Sequence, residues 1–358
     1  MRLTGIDLFR GMAIFGVVIL HSDEGITVNL PLWTQMRIFA SFAVPFFLAL
    51  SFYLSCRKIY GSQGDYPLKA RLTRLVIPYL FWTGLYLLYK LIKYALKGDF
   101  GQIVELGQDP IGLMVLGGAA FHLYFLPLLL MGTLAMKPLS PLTRHSRPVW
   151  LGLLGLGVSL LLYHLLEVSG NNFVTQGGVA FQGVQRALGV DWHTSPLLRM
   201  LGVWVAWLLR CFPYIFMAMI LASPKIYPKL ERKNGLYCAL VLVAFGGVNQ
   251  WGGEFLPVVL YEWSRGYLGL LSAIALSPYL PSQGWLKNLG LCSFGIYLLH
   301  LFIVEALQML ENKIYTEGIF RHSSLNLLVF AAVVFTVSWL LTDWLMGRKI
   351  LAKWMFGA

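Results

Sequence analysis

The chain has 358 residues, 58% of them hydrophobic and 12% charged, with a mean hydropathy of +0.68; soluble domains carry roughly 25% charged residues, so a soluble globular class is excluded. The formal net charge is +12, but the basic residues sit between apolar runs with no aromatic or glycine-rich recognition pattern around them, which excludes nucleic acid as a partner. The four cysteines, Cys56, Cys211, Cys238 and Cys292, lie inside or at the edges of apolar runs and offer no exterior disulfide framework.

Ten apolar stretches are long enough to cross a hydrocarbon core about 30 Å thick. They cover residues 6–26, 36–56, 72–97, 111–136, 148–167, 198–222, 235–252, 255–278, 287–310 and 325–346. The expectation is an all-α polytopic integral membrane bundle of about 10 transmembrane helices, forming a single domain over 1–358. The first stretch reads as a retained helix, because Arg10 interrupts the apolar region a leader needs and HSDEGIT holds no small-x-small cleavage site. The seventh and eighth stretches are separated only by the turn-like WGGEF. The longest connection, 168–197, is rich in Gly, Asn and Gln; it reads either as a cap over the outer face that admits a polar acceptor or as an inert connector. No internal repeat supports a transporter built from duplicated halves. Lys and Arg collect on one set of connections, such as Lys69, Lys137, Arg144 and Lys229, and acids such as Asp23, Glu24, Asp99 and Asp109 on the other. That asymmetry predicts both termini on the cytoplasmic side.

An ionisable residue inside an apolar stretch costs on the order of 3 kcal/mol on insertion scales, so it usually faces a protein interior, a wet cavity or a site. LFRGMAIFGVVILH holds two, Arg10 and His21, eleven residues apart. Eleven steps of about 100° return to within about 20° of the start and rise roughly 16 Å, so the two share one helix face at different depths. A neutral imidazole can take a proton from an attacking hydroxyl or amine, and an arginine can steady an oxyanion or phosphate. The alternative is a histidine hydrogen-bonded at the end of a structural helix. Asp23 and Glu24, just beyond, are placed to orient the imidazole. Arg71 and Arg74 in KARLTRLVIPY share a face at i,i+3, where guanidinium forks can hold phosphate bidentately; basic residues at an inner boundary are also the ordinary orientation signal. His122 with Tyr124, and Tyr297 with His300, carry polar tips inside apolar runs and need partners there, with interhelical hydrogen bonding the first expectation. Glu262 and Arg265 are three apart and can neutralise each other or bind substrate. Glu305 and Asp343 are lone acids with no assigned role. The histidines lack H-E-x-x-H or a similar ligand spacing, so no metal is expected.

The order of these landmarks resembles the acyltransferase family 3 membrane proteins. The resemblance runs over essentially the full chain: Arg10-x10-His21, IFASFAVPFFLALSFYLS, Arg71-x-x-Arg74 followed by Pro78 and Tyr79, HLYFLPLLL, FPYIFMAMILA and LGLCSFGIYLLH. It departs where Ser51 precedes Phe52 and Tyr53 instead of the family's usual glycine, and where Tyr124 stands for a frequent Trp. The resemblance implies an O-acetyltransferase-like enzyme of a bacterial inner membrane. Its donor is acyl-CoA, usually acetyl-CoA, on the cytoplasmic side, and its acceptor is a hydroxyl of a carbohydrate, lipid-linked sugar or glycolipid at the outer side, in polysaccharide modification of the cell envelope. In that reading His21 is the general base or a transient acyl carrier, Arg10 positions donor or thioester, and Arg71 and Arg74 grip CoA phosphates. The hydrolase-like domain appended in some members is absent up to Ala358, so any second step is expected from another protein. The alternatives are a transporter or flippase, or a non-catalytic partner in envelope polysaccharide export.

Overall fold

A computed structural model describes residues 3–24, 30–61, 66–145, 147–170, 180–190, 195–314 and 323–357. Much of the expected 168–197 cap, 171–179 and 191–194, lies outside the described residues. Every regular element among those described is helical: α1 (Thr4–His21), α2 (Pro31–Ala40), α3 (Ala43–Gly61), α4 (Leu68–Lys97), α5 (Phe100–Gly107), α6 (Pro110–Val115), α7 (Phe125–Leu139), α8 (Pro148–Val168), α9 (Gln182–Leu188), α10 (Pro196–Leu221), α11 (Tyr227–Leu230), α12 (Gly235–Trp251), α13 (Val258–Leu276), α14 (Gly284–Ile314), α15 (Ser324–Met346) and α16 (Lys349–Phe356). Among the described residues, nine helical stretches are long and apolar enough to cross a membrane. The chain is an all-α polytopic membrane bundle.

The difference from the expected ten is α13. It stands where the eighth stretch was expected and is 19 residues long, but YEWSR in its first half takes it out of the nine. WGGEF does separate two helices, as the 3-10 turn Gly252–Glu254. Two further stretches are interrupted. The second divides into α2 and α3 at Ser41–Phe42, because Pro45 lacks an N–H and its ring clashes with the carbonyl four residues back, that of Ser41. The fourth is broken between α6 and the 3-10 turn Phe121–Tyr124. At this break Gly117 takes φ +85°, and a methyl there would lie 2.5 Å from the Tyr124 nitrogen. Tyr79 of α4 satisfies the freed backbone: its hydroxyl donates to the Met114 carbonyl at 2.9 Å and accepts from the Gly117 N–H at 3.1 Å. Non-helical backbone at membrane depth requires such partners.

The chain forms two compact units, Met1–Ser51 with Pro224–Ala352, and Phe52–Ser223 with Lys353–Ala358. In the first, α1 packs against α13, α14, α15 and α2. The approach of α1 to α14 is close enough that a methyl on Gly290 would overlap the Asp7 carboxylate. Its polar interior is stitched to the α2–α3 corner: buried Asn249 donates to the Phe39 carbonyl at 2.8 Å, and buried Arg265 donates to the Ser41 hydroxyl at 2.7 Å. In the second unit α10 packs on α8 and α7, and α7 on α4. There the Trp82 indole N–H donates to the Met355 carbonyl at 2.8 Å and ties down the C-terminal turn. α4 continues through Pro78, which leaves the Arg74 carbonyl without its i+4 donor. Gly357 packs against that carbonyl, where a side chain would come within 2.7 Å.

Candidate functional site

α1 runs unbroken from Thr4 to His21, so Arg10 and His21 keep the one-face relation expected of them. His21 is its last residue, partly exposed, and the chain turns at once through buried Ser22 and Asp23. Ser22 donates back to the Val18 carbonyl at 2.7 Å, closing the helix end. The Asp23 carboxylate accepts from the Trp33 indole N–H at 3.0 Å and pairs with Arg37, both on α2. Asp23 therefore anchors the α1 end to α2. Glu24 continues the same corner, its carbonyl accepting from the Gln308 amide at 3.1 Å. Withdrawal from water, with the Asp23 and Glu305 carboxylates adding to it, raises the Glu24 carboxyl above its usual range, and Arg37 opposes the shift.

α14 supplies what His21 meets. The His300 ring lies with its centroid 5.3 Å from that of His21, the planes tilted by 33°. His300 is fully buried, and its Nδ1 is 2.7 Å from the Tyr297 carbonyl. A carbonyl only accepts, so Nδ1 carries the hydrogen and, in the neutral ring, Nε2 keeps its lone pair. Tyr297 itself stacks on Phe294, with centroids 6.3 Å apart. Arg10 is partly exposed, on the half of α1 away from His21. Arg265 sits with its guanidinium 4.4 Å from the Tyr261 ring centroid and is held by Ser41, which makes it a brace of the α2–α3 corner. Glu262, partly exposed, precedes it by one turn on α13.

The second unit holds the remaining candidates. His122 is buried in the 3-10 turn, edge-on to Tyr86 of α4 at 5.2 Å, within the aromatic packing that includes Trp82. Tyr124 closes that turn. Arg71 and Arg74 part company despite their spacing. Arg71 donates to the buried Ser55 hydroxyl and lies 5.4 Å from the Tyr66 ring centroid. Arg74 is exposed and lines a cavity of about 730 Å³ with Lys69 at the start of α4, Lys137 near the end of α7 and Tyr66. Burial pushes the Tyr66 phenol up, against the pull of the Arg71 charge. A concave surface of this size whose charged residues are all cationic suits phosphate groups.

A family model described as an acyltransferase domain matches residues 3–343. The chain belongs to acyltransferase family 3. This family member is also 23% identical over 363 residues to a serine/alanine racemase of Enterococcus gallinarum, an alignment that takes in 92% of the chain and 44% of that protein. The chain thus spans less than half the length of that curated relative. No solved structure matches it significantly. Among the described residues, no group of three or more His, Cys, Asp and Glu is placed to hold a metal ion.

Three features of this family member escape sequence reasoning. His300 is a candidate supporting residue on sequence, with an interhelical hydrogen bond its first expectation, and its place against His21 is what no local pattern gives. Glu305 had no role, and it joins the corner of Glu24. Lys69 and Lys137 read as orientation charges, and they share a cavity with Arg74. Only for Lys69 was there a signal, its place five residues before Arg74 at a helix start.

Proposed function

We propose that this chain transfers an acyl group, acetyl in the simplest case, from cytoplasmic acyl-CoA to a hydroxyl of a carbohydrate or lipid-linked sugar at the outer face of a bacterial inner membrane. The observation that carries the reading is the His21–His300 pair at the end of α1, in a chain that the acyltransferase model spans almost completely. His21 takes the acceptor hydroxyl proton while the hydroxyl oxygen bonds to the acyl carbon; the carbon–sulfur bond breaks, and the proton passes to the leaving thiolate, so that CoA departs as the free thiol. His300, its Nδ1 fixed on Tyr297, is a positioning residue whose ring packs against that of His21. Arg10 steadies the developing oxyanion, and the donor phosphates bind the basic face around Arg74.

A transport reading draws on one feature, the helix break after α6, since interrupted helices line transporter pathways. One experiment separates the two. Radiolabelled acetyl-CoA is supplied to purified membranes carrying wild type or His21→Ala at equal levels, and the product is fractionated. His21-dependent label in a glycan or glycolipid fraction supports the acyltransferase, and label trapped on wild-type protein assigns a transient acyl-histidine. Equal label, or none, in the two samples overturns the reading.

A further inference from the structure

The cavity of the second unit carries an inference that rests on the acyl-CoA reading and goes beyond Arg71 and Arg74. Its charged rim comes from two helices, Lys69 and Arg74 of α4 and Lys137 of α7, all three exposed. Arg71, one turn from Arg74, is instead turned to buried Ser55 and to the Tyr66 ring. Tyr66 is only 6% exposed and lines the same cavity, beside the Arg71 guanidinium. Pro67 and Leu68 add apolar surface beside the cations. The volume, about 730 Å³, falls in the range of small-molecule sites, about 300–1,000 Å³.

We propose that Lys137, with Lys69 and Arg74, cradles the 3′-phosphorylated ADP end of acyl-CoA, and that Arg71 is not one of its ligands. The donor presents a diphosphate and a 3′-phosphate, and each lysine meets a phosphate as a point charge. The Tyr66 hydroxyl donates to a phosphate or ribose oxygen, and the adenine lies on Pro67 and Leu68. Lys137 is the decisive member, because it comes from a different helix from the other two and closes the cavity against them.

A lipid headgroup would bring the same phosphate chemistry, so the test has arms for both sources. Binding of CoA, dephospho-CoA and soluble anionic headgroup phosphates is measured on the purified full chain in neutral detergent, for wild type and for Lys69→Gln, Arg74→Gln, Lys137→Gln and Lys137→Arg. Each variant is checked for an unchanged elution profile. Expected for wild type is binding of CoA about tenfold tighter than of dephospho-CoA, the worth of one charge-assisted contact. Expected for Lys137→Gln is a weakening for CoA of about tenfold, restored to within about threefold by Lys137→Arg. At least one of the three neutral variants should lose the preference for CoA over dephospho-CoA, which assigns the 3′-phosphate contact. Equal CoA binding by wild type and all three neutral variants overturns this inference and leaves the acyltransferase reading standing. Headgroup phosphates that bind as tightly as CoA, with dephospho-CoA equal to CoA, assign the cavity to lipid and also overturn it. Failure of wild type to bind CoA at all, together with no His21-dependent label in membranes, overturns the acyltransferase reading itself.

Discussion

The polar groups at the end of α1 and those of the basic cavity are built on opposite principles. In the first unit His300 is fully buried, Asp23 is 6% exposed, and each is fixed by named bonds, His300 to the Tyr297 carbonyl and Asp23 to Trp33 and Arg37. In the second unit Lys69, Arg74 and Lys137 are exposed. Bond-making chemistry depends on reacting atoms held within tenths of an ångström, which buried and cross-braced side chains provide. Capture of a multiply charged ligand depends on summed potential and tolerates mobile cations. The first region is made to position and the second to attract, so substitutions in the two should leave different kinetic signatures.

The largest effect expected is at the positioned end. His21→Ala should lower the rate of acyl transfer by about 10²–10⁴-fold, the usual worth of a general base, read as labelled product per unit of protein. His300→Ala should follow at about 10- to 100-fold, the cost of letting the His21 ring shift from its productive position. For His300→Ala the loss should fall on kcat with KM for acyl-CoA unchanged, whereas Lys137→Gln should raise KM and spare kcat. A common signature for the two would erase the distinction between regions.

A smaller effect, on stability, comes from the break after α6. Tyr79→Phe removes the hydroxyl that serves both the Met114 carbonyl and the Gly117 N–H. Two backbone groups are then left without partners at about 1–3 kcal/mol each. The expected result is a lower unfolding midpoint in detergent with little change in CoA affinity. An unchanged midpoint would mean that water replaces the phenol, and hence that the break is wet.

The sequence made the framework legible because crossing a membrane imposes one strong requirement, about twenty apolar residues per helix. Hydropathy does not register a one-residue change of direction inside an apolar run. Pro45 and Gly117 both carry that information, and each could be weighed only once its neighbours, Ser41 for the one and Tyr124 for the other, were in view. The same limit governs the site. Arg10 and His21 could be related because they share one helix, whereas His21 and His300 are brought together by the packing of α1 on α14, which no local pattern encodes. The i,i+3 spacing of Arg71 and Arg74 fixes their face, and the difference between them arises from Ser55 and Tyr66, outside their own helix.

The smallest effect tests how well the α1 corner is balanced. Glu24 lies outside the α1 span, and its carboxyl is raised first by withdrawal from water and then by the Asp23 and Glu305 carboxylates, with Arg37 opposing. A carboxyl raised in the folded state contributes stability that is complete below the ordinary glutamate value, about 4.3, and is lost as pH rises through the folded-state value. At neutral pH the charged form is therefore a net cost to the folded state. Glu24→Gln should raise the unfolding midpoint at pH 7, and that gain should vanish as pH falls below the ordinary glutamate range. Arg37 provides the internal check. With Arg37→Gln as background, the opposing charge is gone and the gain from Glu24→Gln at neutral pH should grow, a coupling that the double-mutant cycle isolates. A gain that does not grow would place the Arg37 charge wholly in the service of Asp23, and the corner would then be held by one ion pair and the Trp33 bond instead of a shared network.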